Sequence, residues 1–153
     1  MRAHTRSPGF SLIELMIVVA IVGILAAIVV PSYRDYVRRS SLQEGFAALA
    51  DMKVRMEQFY QSNLDYGIPG EAVECGNDGS AARVSFAATA NFTYACTLTD
   101  GDDQQFAITA TGSGPAAGHV YSIDHNNVRR TITFKGNVQD PPSQCWLSKG
   151  GEC

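Results

Sequence analysis

Residues 9–30 read GFSLIELMIVVAIVGILAAIVV, and this stretch decides how the rest of the chain is interpreted. The 21 residues from Phe10 to Val30 carry one charge, that of Glu14. At about 1.5 Å per residue, a helix of this length spans roughly 30 Å, the thickness of the hydrocarbon core of a bilayer. A cleaved secretory signal has a shorter apolar region that ends in a small-residue cleavage site. The run therefore predicts a retained membrane helix, inside which a carboxylate is costly.

The flanks of the run resemble the class III signal of type IV prepilins. The basic leader MRAHTRSPG ends at Gly9, and the motif G-F-S-L-I-E-L starts there. The resemblance implies that a prepilin peptidase cleaves between Gly9 and Phe10, that Phe10 is then N-methylated, and that the apolar run stays in the mature chain. Gly23 and Pro31 fall where this family commonly has a helix-loosening glycine and proline.

Glu14 is the fifth residue after the implied cleavage point. Without the resemblance, the presence of Glu14 in the apolar run is also explained by a position near the headgroups, where the positive end of the helix favours a carboxylate. The resemblance implies an assembly role, in which Glu14 pairs with the new ammonium group of Phe10 on an adjacent copy. Each charge is costly alone in a low-dielectric medium and less costly in a pair. We therefore predict that the pair sets the axial register between subunits, with Gly23 and Pro31 as further assembly residues.

A helical period continues beyond Pro31. Apolar residues recur every three or four positions, and charged residues occupy the opposite face. These apolar positions are Leu42, Phe46, Leu49, Met52, Met56 and Phe59. We expect one long helix from about Phe10 to about Ser62, apolar all round in its first half and amphipathic in its second half.

Short alternating runs follow, separated by turns rich in Gly, Asn and Asp. They predict four strands, at Phe92–Thr99, Gln105–Thr111, His119–Asp124 and Arg129–Lys135. Residues 63–91 are expected to form a long loop with a short strand near 84–86, and residues 136–153 an irregular tail. The expected fold class is α+β. It is the ladle of type IV pilins: a long N-terminal spine helix with its distal half packed against a four-stranded antiparallel sheet, and a disulfide-closed C-terminal loop.

The four cysteines, Cys75, Cys96, Cys145 and Cys153, all lie beyond the apolar run. An even number in an exported domain predicts two disulfides. Three pairings are possible, and we favour Cys75–Cys96 with Cys145–Cys153 because the second bond closes a short tail loop. The cysteine spacing fits no metal site. Paired cysteines leave no thiol nucleophile, and no Ser/His/Asp set has a catalytic spacing, so we expect neither an enzyme nor a cofactor.

The predicted organisation has three parts: a cleaved leader (1–9), an apolar helix half that crosses the membrane and later forms the filament core (10–33), and a periplasmic or extracellular head (34–153). The resemblance implies a structural subunit of a type IV pilus that serves adhesion, twitching motility or DNA uptake. It implies a single-pass inner-membrane prepilin of a Gram-negative-type bacterium that later joins an extracellular filament. The implied partners are other pilin subunits, the prepilin peptidase and methyltransferase, and the inner-membrane assembly platform. Two cysteine pairs and the GN…PPSQCW ending favour the minor-pilin and competence-pilin subgroup.

Two alternative functions remain open. In RRTITFK (129–135), alternation places Arg129, Thr131, Thr133 and Lys135 on one polar face, and Arg129 and Lys135 could contact the phosphates of DNA, as in a competence pilin. The charge of the head argues against DNA binding, since the chain from Arg34 onward has ten Lys/Arg and fourteen Asp/Glu residues, a net charge of −4. A type II secretion pseudopilin is the other alternative. Major pseudopilins stabilise the carboxyl end with calcium, whereas this chain has a cysteine pair there.

Overall fold

The computed structural model describes residues 10–71, 74–79, 84–99 and 103–151. The elements are the helix α1 (Leu12–Asn63) and the strands β1 (Phe92–Leu98), β2 (Phe106–Gly112), β3 (Val120–Asp124), β4 (Arg129–Phe134) and β5 (Asn137–Ser143). A single 3₁₀ turn, Gly114–Ala116, lies between β2 and β3. The chain divides into two compact units between Tyr36 and Val37.

The start of α1 is fixed by a local hydrogen bond. The backbone N–H of Ser11 donates to Glu14 Oε2 over 3.3 Å, and the N–H of Leu15 donates to the Ser11 carbonyl over 3.2 Å. This is the reach-back half of a capping box, S-x-x-E, in which the glutamate satisfies a donor that the helix leaves free. The helix therefore begins at Leu12, two residues later than the predicted Phe10. Pro31 lies inside α1, as predicted, and does not end it.

The helix ends at Asn63, one residue beyond the predicted end. Leu64 follows with φ 65°, a left-handed conformation of the kind that commonly closes helices. Its N–H still donates to the carbonyl of Tyr60 over 2.8 Å, and the Asn63 side chain donates to the carbonyl of Phe59 over 3.0 Å. These bonds satisfy two carbonyls that a helix end would otherwise leave free.

The sheet is an antiparallel meander in the order β1-β2-β3-β4-β5. The prediction of four strands is wrong, because part of the tail expected to be irregular pairs with β4 as β5. Lys135 and Gly136 both have positive φ, which suits the two-residue turn that joins β4 and β5. Pro141 and Pro142 are accommodated because β5 is an edge strand, where a missing N–H costs no ladder bond on the open side.

The core of the second unit lies between the amphipathic half of α1 and one face of the sheet. The helix contributes residues of the predicted stripe, and the sheet contributes mainly aromatic and branched residues. The fully buried members include Leu42, Leu49, Met56, Phe92, Phe106, Ile108, Tyr121 and Ile123. Phe46 is partly buried and packs its ring edge-on to Tyr121, with the ring centroids 4.9 Å apart. The predicted stripe is thus confirmed as part of the core from Leu42 to Met56, whereas its last member, Phe59, is only partly buried and lies outside the core.

The loop after α1 is tied to the sheet by a disulfide. Cys75 bonds to Cys96 in β1, as predicted. The short strand expected near 84–86 does not form in the described part of the loop, since residues 84–89 have no regular structure. The N–H of Val84 instead donates to the carbonyl of Gly76 over 3.1 Å. Cys145 is disulfide-bonded, and its predicted partner Cys153 lies outside the described residues.

Candidate assembly and nucleic-acid surfaces

At the amino-terminal end of α1, Glu14 contacts the backbone of the residue that follows Phe10. Glu14 reaches back to the N–H of Ser11, the residue next to Phe10, and the Phe10 side chain is largely exposed. The Glu14 carboxylate therefore lies close to the position where an amine on Phe10 would be found after cleavage. The capping function of Glu14 was not predicted, although the S-x-x-E spacing of Ser11 and Glu14 is visible in the sequence. Gly9, the other predicted processing residue, lies outside the described residues.

The apolar run that follows has no protein cover within its own unit. Its large side chains are all exposed in the isolated chain, and α1 contains a segment long and apolar enough to cross a membrane. Gly23 lies in this run, and a Cβ placed there would meet nothing within 4 Å. Pro31 has no N–H to donate to the carbonyl of Ala27. Gly23 and Pro31 are thus two positions where the helix is intrinsically weaker.

A carboxylate links α1 to the start of the sheet. Glu44 accepts hydrogen bonds from the backbone N–H and the side-chain amide of Asn91, at 3.2 and 2.6 Å. Hydrogen bonds from the Thr89 hydroxyl and from Asn91 hold the pKa of the Glu44 carboxyl below its ordinary value. The next helix residue, Gly45, packs directly beneath the ring of Phe92. Glu44 and Gly45 therefore position β1 on the helix.

The predicted polar face of β4 is not a single exposed face. Thr131 is fully buried; its hydroxyl donates to the carbonyl of Cys145 over 2.6 Å and accepts the N–H of Leu147 over 3.0 Å. The pairing register with β5 shifts between Thr131 and Thr133, and Phe134 is buried three residues after Thr131. Strict alternation is wrong here because the irregular register and the tail that covers Thr131 both break it.

The two predicted DNA-contacting cations lie at opposite ends of this strand. Arg129 and Lys135 are both exposed, and six residues of strand correspond to about 20 Å. Lys135 lies in the turn to β5, with its ammonium nitrogen 5.6 Å from the centroid of the Phe134 ring. The intervening Arg130 is bound to Asp124 over 2.8 Å, so its charge is largely matched. The structure therefore offers two separated cations rather than a continuous basic stripe.

Trp146, which the sequence analysis did not assign to this surface, supports Arg129. The Arg129 guanidinium carbon lies 4.7 Å from the centroid of the Trp146 ring. The indole stacks on Phe46 at 5.0 Å and donates its N–H to the carbonyl of Ser122 over 2.9 Å. A cation held against an aromatic face retains donors for an anion such as phosphate. No sequence periodicity links residues 46, 129 and 146, so this stack could not be found without the fold.

His119 is buried at the turn before β3. Its Nδ1 lies 3.0 Å from the carbonyl oxygen of Ala116 and 3.1 Å from that of Ala117. Burial lowers the pKa of the imidazole, and the positive charges of Arg38 and Lys135 act in the same direction, while the two carbonyl contacts oppose it. The arrangement suits a neutral imidazole with its proton on Nδ1. Within the described residues, no group of His, Cys, Asp or Glu side chains is arranged to hold a metal ion.

Comparisons with known proteins give matches for the amino-terminal segment and for most of the rest of the chain. The family model described as "Type IV minor pilin ComP, DNA uptake sequence receptor" matches residues 31–120, and the prokaryotic N-terminal methylation motif matches residues 5–30. A fimbrial protein of Dichelobacter nodosus is 40% identical over 119 residues, which are 75% of this chain and 73% of that protein.

Two further relatives are named as fimbrial proteins. A type IV major fimbrial protein FimA of Dichelobacter nodosus is 35% identical over 123 residues, 77% of this chain and 76% of that protein. The fimbrial protein EcpC of Eikenella corrodens is 54% identical over 52 residues, 34% of each chain. The match to the minor-pilin model ends at residue 120, before β4, so neither Arg129 nor Lys135 lies inside it.

Proposed function

The chain belongs to the type IV pilin family and is a structural pilus subunit rather than an enzyme, and on this premise we propose how it is processed, aligned and used. It is an inner-membrane prepilin before it becomes part of an extracellular pilus. Its fimbrial relatives favour a pilus over a secretion pseudopilin. Its partners in the filament are other pilin subunits.

The proposed processing is cleavage between Gly9 and Phe10 by a prepilin peptidase, followed by N-methylation of Phe10 and transfer to an inner-membrane assembly platform. The methylation motif at residues 5–30 spans this site and supports the proposal. Mass spectrometry of sheared filaments should find a peptide that starts with a methylated Phe10. A mature chain that still carries residues before Phe10 would argue against it.

The proposed alignment device is a pair between Glu14 of one subunit and the Phe10 ammonium group of its neighbour. The observation that carries this proposal is the reach of Glu14 back to the Ser11 N–H, which holds the carboxylate at the end of the helix where that amine appears. A hydrogen bond between two ionised groups is stronger than a neutral one, and more so where water is excluded. Since only one axial offset joins the two charges, the pair favours one register between the apolar helices.

Two substitutions at Glu14 separate its two functions. Glu14→Gln keeps an oxygen that can accept the Ser11 N–H, so the cap is retained, but it removes the charge. Glu14→Ala removes both. We expect both variants to reach the membrane at wild-type levels and to form almost no filaments that can be sheared from cells. Normal filament yield from Glu14→Gln alone would refute the pairing and leave a capping role only.

A second proposed function is DNA binding through Arg129 and Lys135. Arg129 is exposed and held on Trp146, Lys135 is exposed in the β4–β5 turn, and the matching family model is described as a DNA uptake sequence receptor. Cation contacts with phosphates weaken as salt rises. We expect full-length chain in detergent to retard duplex DNA in gels at low salt, and Arg129→Ala and Lys135→Ala to weaken this retardation.

The matched control is Arg55→Ala, which removes the same charge from an exposed arginine on α1 that pairs with Asp51. An equal loss of DNA retardation in all three variants would indicate non-specific electrostatic attraction rather than a DNA-binding site. No retardation at low salt would dismiss DNA binding by this chain.

We propose that the chain is a minor rather than a major subunit. The minor-pilin model covers most of the head, although relatives named major fimbrial proteins also match. Quantification of sheared filaments tests this, since a minor subunit is expected at a small fraction of the total pilin. Dominance of this chain in the filament would reverse the assignment.

A further inference from the structure

Two exposed tyrosines follow the apolar run. The Tyr33 and Tyr36 side chains are 66% and 69% exposed in the isolated chain. They are three residues apart and therefore lie on neighbouring positions of one helix face. Ile28, Val29 and Ser32 join them along a shallow groove on this face.

The side chains of Tyr33 and Tyr36 make no aromatic or hydrogen-bonding contact within the part of the chain that the structure describes. Within residues 10–71, 74–79, 84–99 and 103–151, neither ring stacks on another aromatic ring and neither hydroxyl is hydrogen-bonded. Arg34, between them in sequence, is also exposed. An aromatic ring with a polar tip is stable where one end meets an apolar medium and the other meets water. The boundary of a bilayer offers this combination, and tyrosine is enriched there.

The spacing along α1 fits a bilayer. Tyr33 and Tyr36 follow Phe10 by 23 and 26 residues, which correspond to about 35 and 39 Å of helix. The hydrocarbon core is about 30 Å thick, and the headgroup layers extend the bilayer to about 40–45 Å. When Phe10 lies at one edge of the hydrocarbon, the Cα of Tyr33 lies in the headgroup layer of the opposite leaflet, and that of Tyr36 lies just outside it. Side chains of a helix lean toward its N-terminus, so the Tyr36 ring reaches back into the same layer.

We propose that Tyr33 and Tyr36 form an aromatic anchor that binds the carbonyl and headgroup layer of the leaflet opposite Phe10, before the chain enters a filament. The rings pack against the outer ends of the acyl chains, and the hydroxyls donate to ester carbonyl or phosphate oxygens. Arg34 extends its guanidinium to lipid phosphates. A lipid partner follows from the continuity of this face with the membrane-crossing segment of α1. The anchor fixes the depth of the helix, and it does not depend on the pair between Glu14 and Phe10.

Depth-dependent fluorescence quenching tests the anchor with the full chain in phospholipid vesicles. The wild-type chain contains one tryptophan, Trp146, which gives the background. Tyr33→Trp adds a tryptophan at the proposed headgroup depth, and Ile28→Trp adds one inside the apolar run. The vesicles contain phospholipids brominated either close to the carbonyl group or near the end of the acyl chain.

We expect the tryptophan added by Tyr33→Trp to lose more fluorescence to bromine near the carbonyl than to deep bromine. For the tryptophan added by Ile28→Trp, deep bromine should account for a larger share of the quenching than it does for the tryptophan added by Tyr33→Trp. In a Tyr33→Ala, Tyr36→Ala background, the depth of the Ile28→Trp reporter should change, whereas Tyr33→Phe with Tyr36→Phe should change it less. Stronger quenching of Tyr33→Trp by deep bromine, or no quenching, would overturn the proposal. Quenching that disappears as the protein-to-lipid ratio rises would assign this face to a second copy and would also overturn it.

Discussion

Gly45 in α1 lies so close to Phe92 at the start of β1 that a Cβ on Gly45 would be 2.7 Å from Cε2 of the Phe92 ring. Both residues are buried, and the ring is fully enclosed by the core. Glu44, one residue earlier, holds the backbone N–H and side chain of Asn91, one residue before Phe92. Two neighbouring helix residues thus fix where the first strand begins.

Gly45→Ala should destabilise the head even though alanine is the better helix former. The propensity gain is about 1 kcal/mol, whereas forcing a methyl group into a packed core typically costs about 1–3 kcal/mol. We expect a net loss, measured by thermal unfolding in detergent followed by circular dichroism. Gly45→Ala combined with Phe92→Leu should recover part of the loss because the ring atoms that clash are removed. A gain in stability from Gly45→Ala alone would show that the ring moves freely.

His119 should make the head sensitive to mild acid. Its pKa in the folded chain is lowered from an ordinary value of 6.5, so the unfolded chain binds more protons as the pH falls below about 6.5. Stability therefore decreases as the pH falls through this range, with a slope of at most about 1.4 kcal/mol per pH unit for one proton. Unfolding midpoints measured from pH 7.5 downward should show this slope, and His119→Asn should flatten it.

Glu44 should make the stability of the head depend on pH in a second, more acidic range. Its pKa is lowered from 4.5, so its contribution is fully present above that value and is lost as the pH falls through the lower folded pKa. Glu44→Gln should therefore lower the stability above about pH 4.5 and remove the Glu44-dependent fall in stability at lower pH, so that the variant and the wild type converge in strong acid. If His119→Asn changed the strongly acidic part instead, the assignment of the two pH ranges would be wrong.

Thr131→Val should loosen the tail. Thr131 is fully buried, and its hydroxyl satisfies both the carbonyl of Cys145 and the N–H of Leu147. Valine has a similar shape but leaves both groups without this partner, which typically costs about 1–3 kcal/mol. We expect lower stability and faster proteolysis after β5. Thr97→Val on the exposed face of β1 is the matched control and should leave both unchanged. Equal effects of the two changes would contradict the role of the Thr131 hydroxyl.

The long helix and the buried stripe that includes Leu42 and Met56 were predictable because each leaves a local pattern in the sequence. The Cys75–Cys96 bond was predicted as one of three possible pairings, because the other favoured bond closes a short tail loop. β5 was missed because residues 136–153 were expected to form an irregular tail, whereas an open sheet edge tolerates Pro141 and Pro142 within a strand. The Lys135–Gly136 turn was a readable signal that was overlooked.

The face of β4 could not be predicted in the same way. Alternation assumes an unbroken ladder, and neither the register shift after Thr131 nor the tail that covers it has a local signature. The support of Arg129 by Trp146 likewise depends on the folded path of the tail. Patterns within one element thus predict that element, whereas contacts between distant segments require the fold.

The most direct test of the proposed pairing is a high-resolution structure of the assembled filament. We expect the Glu14 carboxylate of one subunit to lie about 3 Å from the amino nitrogen of Phe10 on a neighbouring subunit, the distance of a charge-assisted hydrogen bond. A filament in which Glu14 contacts only its own chain, or in which the neighbour's Phe10 nitrogen lies far beyond hydrogen-bonding distance, would contradict the pairing as the device that sets the register.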